Sequence, residues 1–596
     1  MKKKTTKVIA ILLSVIFVFA FASCNKQEPA AEETQAPAET EKAVEATAEE
    51  ATQVPEREVE ETTLTVFVQQ SASSESGIWQ GWAAKKLYDD TKIILDFYPT
   101  GNEVEQKLKQ YLAGGVLPDV IGLKGLDQAK LAMDAGMLLP MNEYTELLPN
   151  IFEEEHYASA IKYSKEYTSN DTGNLYIMPT AIGPVSYNSY NWVPLLQWGL
   201  YKEAGMPEVG TLEDYLDLVE QMVALKPTTD EGEKIYGFSL FSDWDKYTAL
   251  EVSTLSYFYG IDTEYVSHLM ETDVVTKETS SILEDDSFYK RALHFYFEAN
   301  QRGLLDPDSL TQTFSNVMSK YSAGRILFSW FSWMTGSYNS PSDGHVNNEE
   351  NPDGYASVLA QDMKIYEAPD QTIGRNWYYA ISNDTKEPDR ACDLMNWLYD
   401  LDNIHFISNG PEGSIWEYDE NGEPHIIDPE GWNVVDNKTE PLMPAEGGGS
   451  LDDGAFPFNT LGAQSSTIMD DGYTISYRYW PSTLKRNPTL MKIEVTEFLG
   501  YDTLAEYVEA NDMVAKSTLA VNMIPPISDE MEMVVSQIGE VVKKYSWQMI
   551  FAKDEAEFES LWATMVSDAE GLGMADIVAY YEAAWAEAVE TAKEYE

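Results

Sequence analysis

The sequence predicts an α/β protein of at least two lobes, each a mostly parallel sheet with flanking helices, with extra helices at the C-terminal end. Three observations carry this. Short apolar runs of strand length alternate with segments of helical period, an order that builds parallel sheets covered by helices. The chain has 596 residues, and the part beyond its polar opening far exceeds the roughly 100 to 200 residues of one domain. Only Cys24 and Cys392 are present, so the fold must rest on hydrophobic cores and not on a disulfide framework.

The opening residues read as an export segment. Met1-Lys-Lys-Lys and Lys7 precede an apolar run from Val8 to Ala22, broken by Ser14, which ends at Ser23-Cys24. This is a charged start, an apolar centre and a small-residue cleavage position, and the run is shorter than the roughly 18 to 20 residues a spanning helix needs. Phe21-Ala22-Ser23-Cys24 resembles the lipobox of bacterial lipoproteins, in which the cysteine becomes the diacylated N-terminus. An ordinary secretory signal with an incidental cysteine is the alternative. Residues 1–23 are expected to be a lipoprotein signal peptide. Residues 24–61, mostly Ala, Glu, Thr, Pro and Gln, cannot offset the entropy of ordering and are expected to be a disordered acidic tether. No intramolecular disulfide can then form, and the setting of Cys392 in Ala391-Cys-Asp-Leu-Met395 predicts a buried thiol.

In the folded part, Leu64–Val68 reads as a buried strand, 79–90 as a helix and Ile93–Phe97 as a second strand. Val104, Leu108, Tyr111 and Leu112 share a helical face, Gly114-Gly115 ends that helix, and Asp119-Val-Ile-Gly122 is a short strand. Such a sheet binds ligands at the carboxyl ends of its strands. Thr211-Leu-Glu-Asp214 has the form of a capping box before a helix carrying Tyr215, Leu216, Val219 and Met222. Tyr236–Leu240 and Trp377–Ser382 are strand-like, residues 391–399 are an amphipathic helix, and Phe558, Leu561, Trp562 and Met565 mark a late helical face. The expected division is 62–183 for the first part of lobe 1, 184–375 for lobe 2, 376–470 for the return to lobe 1, and 471–596 for a helix-rich part completing both lobes.

Charge limits the partners. The net charge is −60, and loss of the four lysines of residues 1–23, which carry no acid, takes it to −64. Nucleic acid and anionic headgroups are poor partners for such a surface, and polyanionic solutes are disfavoured unless one local basic pocket overrides the field. The six histidines stand at 156, 268, 294, 345, 405 and 425, without the close helical spacing of a zinc site. There is no Gly-x-Ser-x-Gly elbow and no phosphate-binding Gly-Lys-Ser/Thr loop. Among 100 acidic residues, carboxylate pairs for glycoside hydrolysis stay open. Asp419-Glu-Asn-Gly-Glu423 reads as an exposed turn and not as a calcium loop. No cofactor and no metal site is expected.

Six blocks in order then resemble a known family. Leu112-Ala-Gly-Gly-Val-Leu-Pro-Asp-Val120 is similar to its helix end and strand entry, and Ala135-Gly-Met-Leu-Leu-Pro-Met-Asn-Glu-Tyr144 to its glycine and Leu-Pro turn. Gly173-Asn-Leu-Tyr-Ile-Met-Pro179, with Tyr187-Asn188, resembles the strand that crosses between lobes. Tyr201-Lys-Glu-Ala-Gly-Met-Pro207 with Thr211–Tyr215, Tyr321-Ser-Ala-Gly-Arg-Ile-Leu-Phe328, and Gly410-Pro-Glu-Gly413 with Trp416-Glu-Tyr418 follow. The family is that of extracellular solute-binding proteins of group 1, in particular the long lipoproteins of oligosaccharide importers. The resemblance implies a two-lobed periplasmic-binding-protein-like (type II) fold and no enzymatic activity. It also implies capture of a solute, expected to be a carbohydrate, by a monomer that delivers it to ABC permease subunits from the outer face of the membrane. A lipid-anchored glycoside hydrolase and a peptide-binding protein are the alternatives.

A sugar presents an apolar C–H face and a rim of hydroxyls, so its site calls for aromatic platforms edged with polar groups. Most of the 72 aromatic residues must be core, and position selects among them. Trp330 and Trp333 follow the Gly324–Phe328 block, in the region where the resemblance implies a stacking aromatic. Trp244, with Asp243 and Asp245 beside it, follows a strand-like run. Trp377, with Arg375 before it, stands where the chain recrosses, and Lys124 lies just beyond a strand. Trp79 and Glu412 complete the candidate ligand contacts, although Trp79 also fits the apolar face of the first helix and Glu412 a solvated turn. Asp119 reads as a structural cap, and Cys24 as the lipidation site. Closure is expected to turn on crossing strands near 182–187 and 374–380.

Overall fold

The computed structural model describes residues 59–69, 76–98, 104–185, 190–264, 266–340, 344–375, 377–435, 458, 460–486 and 489–595. The export segment, Cys24, nearly all of the tether and Tyr187-Asn188 lie outside the described residues.

The first apolar run forms the strand Thr62–Val68 and the second the strand Ile93–Phe97. They pair in parallel with Leu64 opposite Leu95, and Val120–Lys124 pairs in parallel on the other side with Val66 opposite Val120. Parallel neighbours need crossovers, and the helices Trp82–Thr91 and Val104–Gly114 supply them. The first of these starts three residues later than its periodicity predicts, because Gly81 at φ 102° breaks the run. Alternation along the strands sends Leu64, Val66, Val68 and Val120 into one core and Phe67, Ile121 and Leu123 into another. Both faces of the sheet are therefore covered, which is why the strands read as nearly continuous apolar runs.

The chain rejoins this sheet much later. Trp377–Ile381 enters antiparallel beside Val120–Lys124, with Trp377 opposite Lys124, and Met178–Pro179 lies beyond it. The short strand Gly77–Ile78 forms the opposite edge of the six-stranded sheet. Asp119 acts as the expected cap. Its Oδ2 accepts from the Thr65 amide at 2.8 Å and the Thr65 hydroxyl at 2.6 Å, and its Oδ1 accepts from Thr385 Oγ1 at 2.6 Å. The helix Pro388–Leu398 lays Ala391, Cys392, Leu394 and Met395 on the core, with the thiol fully buried.

A second core gathers buried residues from Tyr190 to Ile365 and again from Met491 to Tyr581. Its sheet sets Trp192–Gln197 between Phe328–Phe331 and Tyr355–Ser357, and both pairings are antiparallel. The main sheet of the second core is thus antiparallel, and parallel pairing of strands there is limited to the ribbon of Ile365–Glu367 with Val514–Lys516. Around the strand-like run 236–240, parallel pairing shrinks to single bridges, Tyr236 with Ile326 and Phe238 with Leu305. The physical reason is close packing: a Cβ at Gly237 would stand 2.4 Å from Val219 Cγ1, and Ser239 turns its hydroxyl to buried Asp306 at 2.7 Å. The helix after Thr211 begins at Asp214. The Asp214 carboxylate reaches back to the amides of Gly210 and Thr211, each at 2.9 Å, in place of the expected Thr211 cap.

Three long helices, Asp529–Ile550, Glu555–Gly571 and Met574–Ala592, end the chain. They bury Ile538, Val542, Phe558, Trp562, Met565 and Ile577 in the second core. The last turns carry Trp585, Ala588 and Ala592 into a small cluster with Tyr163 and Ile373, and the Tyr595 hydroxyl donates to Glu166 Oε2 at 2.7 Å. Among the described residues no helix is long and apolar enough to cross a membrane.

Candidate functional site

Two segments that connect the cores run side by side. The amides of Gly183 and Gln371 donate to each other's carbonyls at 3.1 and 2.9 Å, Arg375 N–H donates to Thr180 at 2.9 Å, and Thr180 N–H donates to Trp377 at 3.0 Å. Gly374 between them has φ 78°, and a Cβ there would meet Pro179 Cβ at 2.6 Å and the Thr180 carbonyl at 3.0 Å. Only glycine fits that approach. A third stretch flanks the first: Ala181 N–H donates to Leu461 at 2.7 Å, Ile182 N–H to Gly462 at 2.8 Å, and Gln464 N–H to Ile182 at 2.8 Å.

These stretches wall a cavity of about 340 Å³ whose lining includes Arg375, Arg478, Tyr479, Gln464, Thr460 and Phe458. Arg375, picked out from sequence, reaches it from the crossing segment; the other five were not singled out. Burial pushes the Tyr479 phenol up, and the guanidinium charges of Arg478 and Arg375 both pull it back, so the two cations stand near one hydroxyl. Trp79 stays behind this wall. At 9% exposure it is core, meeting Phe458 edge-on at 5.9 Å and Phe97 at 6.2 Å.

Lys124 and Trp377 sit at the carboxyl end of the parallel strands, paired across the sheet. Lys124 is exposed, with its amide held by Gln69 Oε1 at 2.8 Å. Desolvation raises the Glu264 carboxyl, while the charges of Lys124 and then Lys246 lower it. Lys246 lies two residues beyond Trp244.

The 241–247 loop and the segment after Phe328–Phe331 together lay out an aromatic surface. Trp244 and Trp333 are 41% and 43% exposed, with ring centroids 5.8 Å apart and planes 30° apart. Phe314 packs behind Trp244 at 4.3 Å, and Phe331 behind Trp333 at 5.3 Å. Trp330, at 2% exposure, is one layer deeper: it meets Phe331 at 4.1 Å and Phe241 at 6.4 Å. The platform rests on a buried polar network. Lys320 Nζ donates to Asp306 Oδ2 at 2.5 Å and Gln312 Oε1 at 2.8 Å, and Gln312 Nε2 donates to the Leu240 carbonyl at 2.6 Å. Such satisfied support fixes a loop that would otherwise wander.

The two acids beside Trp244 work within the fold. Asp243 Oδ2 accepts from the Phe314 amide at 2.8 Å, at the start of the helix Phe314–Ser322. Asp245 accepts from Leu250 N–H at 2.9 Å and from Trp547 Nε1 at 2.7 Å, and burial pushes its carboxyl up to about 6. Below them Glu251 accepts from Phe241 N–H at 2.7 Å, and burial, then the Asp245 charge, raise it far above the usual range. Glu412 lies in the exposed turn before Trp416. Asp419 Oδ1 accepts from the amides of Asn421 and Glu423, each at 2.8 Å, as an ordinary turn does. Among the described residues no three His, Cys, Asp or Glu side chains are grouped to hold a metal.

Two α/β bodies joined by paired crossing segments, one of them carrying a half-exposed aromatic surface, define the class of two-lobed solute-binding proteins. Residues 71–403, more than half of the chain, match the family described as bacterial extracellular solute-binding protein, and the chain belongs to that family. A comparison with functionally described proteins finds no significant sequence match. Among solved structures the chain is similar to an HMO-binding, ABC-transporter-associated solute-binding protein of Bifidobacterium longum infantis, with 16% identity, TM-score 0.60, and 88% of this chain and 98% of that one covered. It is similar to the substrate-binding protein FusA of S. pneumoniae in complex with kestose, with 16% identity, TM-score 0.59, and coverage of 89% and 100%. The N-glycan transport solute-binding protein NgtS of Streptococcus pneumoniae follows with 13% identity, TM-score 0.52, and coverage of 89% and 99%. At these identities the likeness is one of fold. The protein's role is to bind a solute outside the cytoplasm.

Proposed function

We propose that the solute is an oligosaccharide, that the protein hands it to the permease of an ABC importer, and that a lipid on Cys24 holds the monomer to the membrane. The observation that carries the sugar reading is the pair Trp244 and Trp333. Each leaves about two fifths of its surface in water, forgoing burial that favours folding by roughly 25 cal/mol per Å². Flat, half-exposed indoles on a rigid base offer the apolar platform that the C–H face of a sugar ring needs. The solved structures that it resembles, among them an HMO-binding protein, a kestose complex and an N-glycan transport solute-binding protein, point the same way.

Capture follows from the placement of the two halves. A chain of sugar units lying on Trp244 and Trp333 and touching Trp377 and Lys124 contacts both bodies only when they approach. The ligand therefore has higher affinity for the closed arrangement and shifts the population toward it. No covalent step is involved. Asp243 and Asp245, the acids that flank Trp244 in the chain, are occupied with a backbone amide and an indole N–H, which favours the binding reading over hydrolysis.

The deciding experiment incubates the full chain with a panel of oligosaccharides and follows melting temperature and reducing ends together. Heat stabilisation with no new reducing ends is the expected result, because a ligand held only by the native state stabilises it by mass action. Sustained release of reducing ends would overturn the reading, and so would stabilisation by peptides alone.

A further inference from the structure

We propose that Asp245 and Trp547 are positioning residues for the solute platform, and that the long C-terminal helix Asp529–Ile550 sets the orientation in which Trp244 is presented. The proposal rests on the platform reading above and says what holds that platform in place.

The loop that carries Trp244 borders a cavity. Ser242 and Asp245 line a space of about 710 Å³ together with Leu310, Lys543, Trp547 and Phe551, so that side of the loop is not backed by a close-packed core. The position of such a segment depends on the bonds that bracket it, because ordering it costs conformational entropy. Trp244 stands between two brackets. Before it, Asp243 accepts the Phe314 amide at 2.8 Å; after it, Asp245 accepts the Leu250 amide at 2.9 Å and the Trp547 indole N–H at 2.7 Å. The last of these bonds ties the loop to a helix 302 residues further along the chain.

The same helix meets the same loop along one face. Glu532, Gly539 and Ser546 are seven residues apart, about two turns each, and so share a side. The Tyr247 hydroxyl donates to Glu532. A Cβ at Gly539 would stand 2.8 Å from Tyr247 Cα, so helix and loop approach where a side chain would hold them apart. Ser546 Oγ bonds the Tyr289 hydroxyl at 2.8 Å, and that hydroxyl accepts the Ala249 amide at 3.2 Å. Trp547 closes the row. A helix that engages residues 245, 247 and 249 in turn fixes the loop against itself, and Trp244 with it. This helix lies beyond residues 71–403, the part that matches the family.

The Trp547 bond also depends on charge. An Asp245 carboxylate offers one oxygen to Leu250 and the other to Trp547, whereas a protonated acid turns one oxygen into a donor that faces a donor. Burial pushes this carboxyl up to about 6; the bonds from Leu250 and Trp547 and the Lys543 charge pull it down, and the Asp243 charge pushes it up. Glu251 and Tyr289 each feel the Asp245 charge, and Glu540, Lys544 and Glu557 line the cavity with it. Replacing Asp245 by its amide separates its own titration from that of these neighbours.

The test labels the full chain with 5-fluorotryptophan, assigns the Trp244 fluorine resonance by its loss in Trp244→Phe, and reads its solvent isotope shift, which grows with exposure to water. Asp245→Asn and Trp547→Phe should each raise that shift, while Trp416 and Trp480 of the first core keep theirs. The double variant should raise it no further than either single one, as for two residues acting through one bond. In the parent the Trp244 shift should rise as pH falls from about 7.5 to about 5, and Asp245→Asn should abolish that rise. Whichever of kestose, maltotriose and lacto-N-tetraose the parent binds in calorimetry should bind each variant about tenfold more weakly, the scale of one lost hydrogen bond. A Trp244 shift that keeps its parental value in the variants overturns the proposal, as does one that moves together with Trp416 and Trp480, the mark of general loosening, or one that adds up in the double variant. Should Trp547→Phe fail to fold, Asp245→Asn and the parental pH profile decide, and a flat profile overturns the proposal. Failure of every sugar to bind the parent counts against oligosaccharide capture instead, and the spectra still decide the positioning.

Discussion

Replacing Trp330 and Trp333 by alanine, one at a time, should produce opposite phenotypes from two tryptophans three residues apart. Trp330 is 2% exposed and Trp333 is 43% exposed. A buried aromatic side chain removes roughly 150 to 250 Å² from water, which at about 25 cal/mol per Å² amounts to ~4 to 6 kcal/mol as an upper bound. Measured truncations of this kind cost about 3 to 5 kcal/mol. Trp330 Nε1 has no partner in the fold, so no hydrogen bond is lost and the lower half of that range applies. Trp333 keeps little more than half of its surface buried, against Phe331 and Phe314, so the same arithmetic gives ~2 to 3.5 kcal/mol as an upper bound. Its loss should instead weaken oligosaccharide binding by about 1 to 3 kcal/mol, as at a binding hot spot. Urea unfolding of the ligand-free protein and calorimetric affinity, measured on both variants, separate the two effects. A Trp330→Ala protein as stable as the parent but weak in binding, or a Trp333→Ala protein that binds normally, refutes the placement of the platform.

Three further outcomes follow from the same geometry. Burial pushes Asp245 up to about 6 and Glu271 up to about 7, so between about pH 4 and 7 the native state holds protons that the unfolded chain has released. Stability should therefore fall as pH rises through that window. Asp245→Asn should flatten the slope by about 1 to 2 kcal/mol, allowing for its partial exposure; an unchanged slope in urea unfolding at pH 5, 6 and 7.5 counts against the raised carboxyl. Gly374→Ala should cost about 1 to 3 kcal/mol from left-handed strain and from the clash with Pro179 and Thr180, and should weaken ligand binding through the crossing segments; a fully stable variant with parental affinity contradicts the close approach. Cys24→Ala should release the protein from the membrane fraction, since the two acyl chains of a lipidated cysteine are enough to anchor it; retention in that fraction rules out the lipid.

Much of the first body was legible because both faces of its sheet are buried. A strand enclosed on both sides must be apolar nearly throughout, so Ile93–Phe97 and Trp377–Ile381 announced themselves, and the helix bearing Cys392 did so by its period. The second body hid its sheet. Trp192–Gln197 contains Pro194, which weighs against a strand, yet here the Pro194 carbonyl accepts from Val358 N–H at 3.3 Å. Phe328–Phe331 is only four residues long and loses register between Ser329 and Phe331. Neither feature leaves a readable period. The parallel sheet read for that body was an extrapolation from the first, whereas its pairings depend on residues more than a hundred positions apart.

The site shows the same limit more sharply. In Phe328-Ser-Trp-Phe-Ser-Trp333 the two tryptophans repeat one motif and look equivalent, and the register shift at 329–331 decides which of them reaches solvent. Asp243 and Asp245 have the residue type a sugar rim needs, and only three-dimensional packing reveals that an amide and an indole claim them. Arg375 was found because the chain recrosses there. Its companions Gln464, Arg478 and Tyr479 come from a stretch some ninety to a hundred residues later that no pattern connects to it; the bonds from Ala181 to Leu461 and from Gln464 to Ile182 bring them round. Residue type and strand ends can nominate a single side chain. A pocket requires convergence, and convergence is a property of topology: the side chains around Arg375 come together only when distant segments of the chain are placed against one another.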